Sequence, residues 1–175
     1  MTEFSRPIKL DTLGGSVRSL HIEANADERA ALARRFDLIA IDRLEADAEL
    51  TREGEVIRAQ GRLVAAVVQA CVASGAPVPA QIAEPFTLRF VPEAAFDPDA
   101  EEVELSEEDC DTIPYQNAAI DLGEAIAETM ALALEPFPRS PDAEAILKAA
   151  GVVGEDEAEV GPFAALKALK DRLGS

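Results

Sequence analysis

Arg43-Leu44-Glu45-Ala46-Asp47-Ala48-Glu49-Leu50 is the stretch on which the fold turns. It is built largely from good helix formers, yet its apolar residues fall on every second position. A strand puts Leu44, Ala46, Ala48 and Leu50 on one face and the charges on the other, whereas a helix scatters the acids around its circumference. Four consecutive alternations outweigh propensity here, and the spacing predicts a strand.

Working outward toward the C-terminus, a turn at Glu53-Gly54 and a kink at Gly61 divide this strand from Leu63 to Val72. There Leu63, Val64, Val67 and Val68 are apolar on both faces, the pattern of a central strand covered on both sides. Ala76-Pro77-Val78-Pro79 interrupts the sheet with an extended connection, and Ile82 to Val91 resumes it with Phe86, Leu88 and Phe90 in alternation. Toward the N-terminus, Phe4 to Leu10 and Val17 to Ile22 read as short strands around a Gly14-Gly15 turn, with the single His, His21, in the second as a structural residue. A helix follows over 27–36, capped by Asn25 or Asp27. Connections this short cannot hold crossover helices, so a doubly wound nucleotide-binding sheet is disfavoured, and no phosphate loop or dinucleotide fingerprint is present.

A second helix opens at Ile120-Asp121-Leu122-Gly123-Glu124, where Asp121 and Glu124 have the spacing of a capping box, and Pro136 closes it. Its stripe Leu122, Ile126, Thr129, Met130 and Ala133 is predicted to face the sheet. The chain then becomes rich in Ala, Gly and Glu, and ends in Pro162-Phe163-Ala164-Ala165-Leu166-Lys167-Ala168-Leu169-Lys170, the pattern of a short basic amphipathic helix.

The 175 residues carry a formal net charge of -18, but the charge is local. Residues 90–138 hold 14 acids and no Lys or Arg, and the rest of the chain is nearly neutral. The densest part runs Asp97, Asp99, Glu101, Glu102, Glu104, Glu107, Glu108, Asp109 and Asp111. Such a block either keeps the protein soluble as a solvated loop or attracts a basic partner. It lacks the Gly and terminal Glu of a calcium loop. It also repels a phosphate backbone, so any direct RNA contact must use the balanced first half, where Arg34, Arg35, Arg43, Arg52, Arg58, Arg62 and Arg89 are available. Cys71, Cys110 and His21 are too few soft ligands for structural zinc. The N-terminus shows no signal peptide and no stretch is long enough for a membrane span, so a cytoplasmic protein is expected. No Ser–His or Cys–His arrangement stands in reach, and the acids lie where nothing rigid or basic supports metal-dependent hydrolysis. The expectation is a non-enzymatic protein without cofactor or metal, with a metal-dependent hydrolase as the weakest alternative.

Taken in order, Gln69-Ala70-Cys71-Val72-Ala73-Ser74-Gly75, Glu84-Pro85-Phe86-Thr87-Leu88-Arg89-Phe90, the helix from Ile120 to Leu134 and the closing Pro-Phe-Ala-x-Leu-x-x-Leu-Lys box resemble the large ribosomal RNA subunit accumulation proteins. This is the YceD family of bacteria, with relatives in plant organelles. The resemblance implies a role in accumulating large-subunit rRNA, and some relatives are encoded beside a small basic zinc-ribbon protein of the large ribosomal subunit. Many relatives carry Cys-x-x-Cys where this chain has Cys71-Val72-Ala73-Ser74. A lone thiol there argues against metal transfer and for a small buried residue ending a strand.

The expected architecture is an α+β domain over 1–140, a mainly antiparallel sheet curling toward a barrel and covered by two or three helices, with an acidic loop at 93–113. Residues 141–175 are expected to form a flexible linker and a C-terminal amphipathic helix. The expected partner is a basic ribosomal protein or large-subunit assembly intermediate, bound by the nine acids from Asp97 to Asp111 and by Phe163, Leu166, Lys167, Leu169 and Lys170. Contact with rRNA is then indirect. The alternative is direct rRNA binding through Arg43, Arg52, Arg58, Arg62 and Arg89.

Overall fold

The computed structural model describes residues 3–93 and 112–152. Its elements are β1 (Pro7–Lys9), a 3-10 turn (Leu10–Thr12), β2 (Arg18–Glu23), α1 (Ala26–Arg35), β3 (Ala40–Glu53), β4 (Val56–Ala70), β5 (Pro77–Pro92), β6 (Thr112–Tyr115), β7 (Ala119–Asp121), α2 (Leu122–Leu132) and α3 (Ala143–Ala149). The main sheet has the order β2-β3-β4-β5-β6, and β1 pairs with β7 in a separate ribbon. The fold is thus α+β with mostly antiparallel pairing. The sheet is not closed: β2 and β6 are its two ends and do not pair with each other, which corrects the expected curl into a barrel.

The period-2 stretch is the middle of β3, and its parity decides the layers. Leu44, Ala46, Ala48 and Leu50 are buried, Asp47 and Glu49 exposed, and Glu45 half-buried. A register shift between Ile41 and Arg43 inverts the alternation, so Ile41 and Leu44 both reach the core across the odd step. α1 contacts β3 and α2 contacts β4 and β1, and both cover the face on which Leu44, Ala46, Ala48 and Leu50 are buried. The opposite face is covered by no described helix. Val64 and Val68, expected in a strand covered on both sides, are therefore only half-buried, while Leu63 and Val67 are fully buried.

Two expected interruptions are absent. Gly61 sits inside a continuous β4 opposite Ala48. A Cβ at Gly61 would lie 2.0 Å from the Asp47 carbonyl oxygen, so the glycine is required by the close approach of β3 rather than by a bend. Pro77 and Pro79 lie within β5, opposite Ala70 and Val68. The Cys71 N–H donates to the Ala76 carbonyl at 2.8 Å and the Val68 carbonyl accepts from Ile39 on the β3 side at 2.9 Å. Odd-numbered residues of β5 therefore point their main-chain groups away from β4, and no ladder bond is lost at a proline.

β6 runs parallel to β5, from Arg89 opposite Thr112 to Pro92 opposite Tyr115. Residues 93–111 are long enough for the crossover that a parallel pair needs, a possibility the short connections elsewhere concealed. α1 carries the capping box: Asn25 Oδ1 accepts from the Glu28 N–H at 3.0 Å, and Glu28 Oε2 accepts from the Asn25 N–H at 2.8 Å. At α2 only half of the expected box forms, with Asp121 Oδ1 accepting from the Glu124 N–H at 3.3 Å. Of its stripe, Leu122, Ile126 and Met130 are fully buried, but Ala133 is exposed at the helix end. α3 falls in the stretch expected as linker.

A two-residue turn joins β6 to β7, with the Ala119 N–H donating to the Gln116 carbonyl at 3.2 Å and positive φ at both Asn117 (54°) and Ala118 (52°). Asn tolerates this geometry and Ala does not. Replacement Ala118→Gly is expected to raise unfolding stability by about 1 kcal/mol. Gly61→Ala is expected to lower it by about 1–3 kcal/mol through displacement of β3. Urea denaturation of the two variants checks both signs.

Candidate partner-binding surface

The face of the sheet away from the helices carries the residues with charge to offer. Across the strands the rows read Glu23–Glu45–Val64–Ala83, His21–Asp47–Arg62–Pro85 and Ser19–Glu49–Gln60–Thr87, and Thr51–Arg58–Arg89 follows. A shallow depression of roughly 700 Å³ runs across the middle rows, lined by His21, Asp47, Arg62, Glu49, Gln60 and Thr87 among others.

Four of the five arginines proposed for RNA, Arg43, Arg58, Arg62 and Arg89, lie on this face, interleaved with Glu23, Glu45, Asp47 and Glu49. Arg43 is held by Glu45, with Nε 2.8 Å from Oε2 and Nη2 on Oε1. Arg62 Nη2 donates to the Ala83 carbonyl at 3.1 Å. Arg58 and Arg89 stand directly opposite each other. The fifth, Arg52, has the opposite parity and donates to the carbonyls of Leu10 (2.6 Å) and Gly54 (2.8 Å), so it ties the 3-10 turn to the β3–β4 hairpin.

His21 is exposed, and its Nδ1 lies 2.8 Å from Asp47 Oδ1. That hydrogen bond, helped by Glu45 and Glu23 nearby, pushes the imidazole pKa above its ordinary value. Arg34 is exposed on α1. Arg35 is engaged by acids: Nη2 is 2.7 Å from Glu124 Oε1 and 3.6 Å from Glu128 Oε1, and Nη1 is 3.1 Å from Glu3 Oε2. Glu124 thus faces Arg35 instead of completing its capping box.

Cys71 follows β4 and is buried, as a strand-ending small residue should be. Its surroundings are more polar than the sequence suggested. Sγ accepts from the Ser140 N–H at 3.3 Å and from the Ser140 hydroxyl at 3.4 Å, and Ser74 Oγ lies 3.4 Å from Ser140 Oγ. The segment after α2 is stitched to this corner by two more bonds, Gln69 Nε2 to the Glu135 carbonyl at 2.8 Å and Val72 N–H to the Pro138 carbonyl at 2.9 Å. Hydrogen bonds from Ser140, then from Ser74, hold the thiol down at about 6. Nothing local in the sequence points to Ser140, which is 69 residues away.

Asp97, Asp99, Glu101, Glu102, Glu104, Glu107, Glu108, Asp109 and Asp111 lie outside the described residues, as do Cys110, Phe163, Leu166, Lys167, Leu169 and Lys170. The acids enter and leave at fixed points, however: β5 ends at Pro92 and β6 begins at Thr112, opposite Arg89. Among the described residues no group of three or more His, Cys, Asp or Glu could hold a metal ion, and no helix is long and apolar enough to cross a membrane.

The family model for the large ribosomal RNA subunit accumulation protein YceD matches residues 59–170. The match takes in β4 from Ala59 through α3 and leaves β1 to β3 and α1 outside it. No curated protein and no solved structure matches the chain.

An unfolded thiol titrates near about 8.5, above the folded Cys71. The unfolded chain therefore holds the extra proton between about 6 and roughly 8.5, and stability rises with pH across that window. It is lost as pH falls back through the folded value. In a Cys110→Ser background, ultraviolet titration of the thiolate is expected to find Cys71 ionising well below a free thiol, and Ser140→Ala to move it upward. Denaturation at several pH values should show the rise disappear in Cys71→Ser.

Proposed function

Because the chain belongs to the YceD family of large ribosomal RNA subunit accumulation proteins, we propose that it is a non-enzymatic cytoplasmic factor of large-subunit biogenesis. In this reading it supports rRNA accumulation by binding a basic ribosomal protein or a basic face of an assembly intermediate. The observation that carries it is the segregation of charge: residues 90–138 hold 14 acids and no Lys or Arg. The nine acids of 97–111 are tethered at both ends to neighbouring strands of one sheet, which supports a polyanionic surface presented from a rigid base. Such a surface raises the encounter rate with a cationic partner and loses that advantage as salt screens it. Phe163, Leu166 and Leu169, with Lys167 and Lys170 beside them, supply apolar anchoring that governs dissociation.

Direct rRNA binding is the second reading, favoured by the gathering of Arg43, Arg58, Arg62 and Arg89 on one face. Its cost is also on that face, where four carboxylates alternate with those four arginines and offset their pull on a phosphate backbone.

Capture of large-subunit proteins from lysate by the intact chain, with and without nuclease, separates the two. The protein-binding reading expects recovery that survives nuclease and falls on the order of tenfold when the nine acids are neutralised. Equal recovery by both forms removes the electrostatic part. Tight, steeply salt-dependent gel shifts with large-subunit RNA, abolished by Arg58→Gln with Arg62→Gln, support the second reading instead.

A further inference from the structure

The two long edges of the main sheet are built differently. On β5 the residues that point their main chain outward before β6 begins include Pro77, Pro79 and Pro85, each without an N–H to offer. The outward carbonyl of Ala83 is already taken by Arg62. This edge is closed to a further strand. β2, at the other edge, carries no proline and no register shift. The Ala24 N–H donates to the Leu44 carbonyl at 2.9 Å, on the β3 side, so even-numbered residues bond to β3 and Ser19, His21 and Glu23 point their main-chain groups outward. The Glu23 carbonyl accepts from Arg6 Nη2 at 2.8 Å. The N–H and C=O of Ser19 and His21 have no partner strand among the described residues.

We infer that the β2 edge is a docking site for an extended, lysine- or arginine-bearing protein segment, which adds to the sheet as a sixth strand beside Ser19 and His21. The charge around the edge selects this occupant. On the open face an added strand would lay alternate side chains beside Ser19, His21 and Glu23, with Glu45, Asp47 and Glu49 one strand farther in. Among the described residues Arg43 is paired with Glu45 and His21 with Asp47 in that patch, while Glu23 and Glu49 have no ion pair. A second copy of this chain would instead set Glu23 and its neighbours against their own images, between molecules that each carry -18. On the other face Leu20 is half-buried, so an apolar residue of an alternating strand gains cover there. Main-chain bonds would supply affinity and the alternating lysines specificity. The inference rests on the proposal of a basic protein partner and names where that partner's main chain docks.

The test uses the full chain and a capped nine-residue peptide of alternating lysine and valine, with the alternating glutamate and valine peptide as control. Ser19→Pro removes one outward donor and puts a ring where the added strand would lie, yet touches no bond between β2 and β3. Fluorescence anisotropy is expected to show binding of the lysine peptide alone, weakened at least roughly tenfold by Ser19→Pro. In the unmodified chain, bound peptide should slow amide exchange at Ser19 and His21, a readout independent of whether the proline variant folds. Exchange unchanged at both amides, equal affinity for the two peptides, or a dimer of the chain dissolved by Ser19→Pro overturns the inference. The acid-neutralised chain separates the two claims. If it alone loses the peptide while the edge amides stay unprotected, the acidic-segment reading stands and the edge falls. If it keeps peptide and protection, the edge stands and that reading falls.

Discussion

The antiparallel ladder between β3 and β4, unbroken from Leu44 opposite Ala65 to Glu53 opposite Val56, is the constraint from which the other features follow. A strand has a period of two, so once Leu44, Ala46, Ala48 and Leu50 face the helices, their odd-numbered neighbours must face away. Ala59, Leu63 and Val67 join them from β4, and Phe86, Leu88 and Phe90 from β5, to make one continuous core. The same rule sends Arg58, Arg62, Asp47 and Glu49 to the opposite side together. Gly61 is the point at which the ladder would fail, because the Asp47 carbonyl occupies the space of any side chain there.

Cations in the first part of the chain are largely spent on holding it together. Arg6 grips Glu28 through both nitrogens at 2.7 and 2.9 Å, and Glu28 is held below the ordinary carboxylate range chiefly by that contact. The Arg6 N–H and the Ser5 hydroxyl both donate to Asp121, the residue that caps α2, so one carboxylate ties the start of the chain to the second helix. Arg35 reaches across to Glu3 and Glu124, and Arg52 is taken by main-chain carbonyls. These contacts commit Arg6, Arg35 and Arg52 to joining the chain's start, its first hairpin and its helices.

Much of the architecture was legible before any coordinates. The β3 alternation, the cap of α1 at Asn25, the start of α2 at Asp121 and the antiparallel order of β2 to β5 all rest on neighbours within a few positions of one another, where local chemistry is decisive. The departures share one cause, that the deciding atom came from far along the chain. Pro77 and Pro79 read as breaks because a proline ends a strand unless its nitrogen faces an open edge, and only the pairing with Val68 and Ala70 shows that it does. Val64 and Val68 read as doubly covered because apolar residues do not say whether a second layer exists. Glu124 read as half of a capping box because Arg35 was not in view.

For the candidate surfaces the division is the same. Sequence by itself determined the concentration of acid between Phe90 and Pro138, the supply of arginines in the first half and the fold class, because composition and short-range period require no knowledge of partners. Only the tertiary structure decided which arginines share a face, that Ser140 donates to Cys71, and that one sheet edge is closed by prolines while the other has no partner strand among the described residues. Those facts depend on strand order and register, which are set by how the whole core packs and by no local stretch of chain.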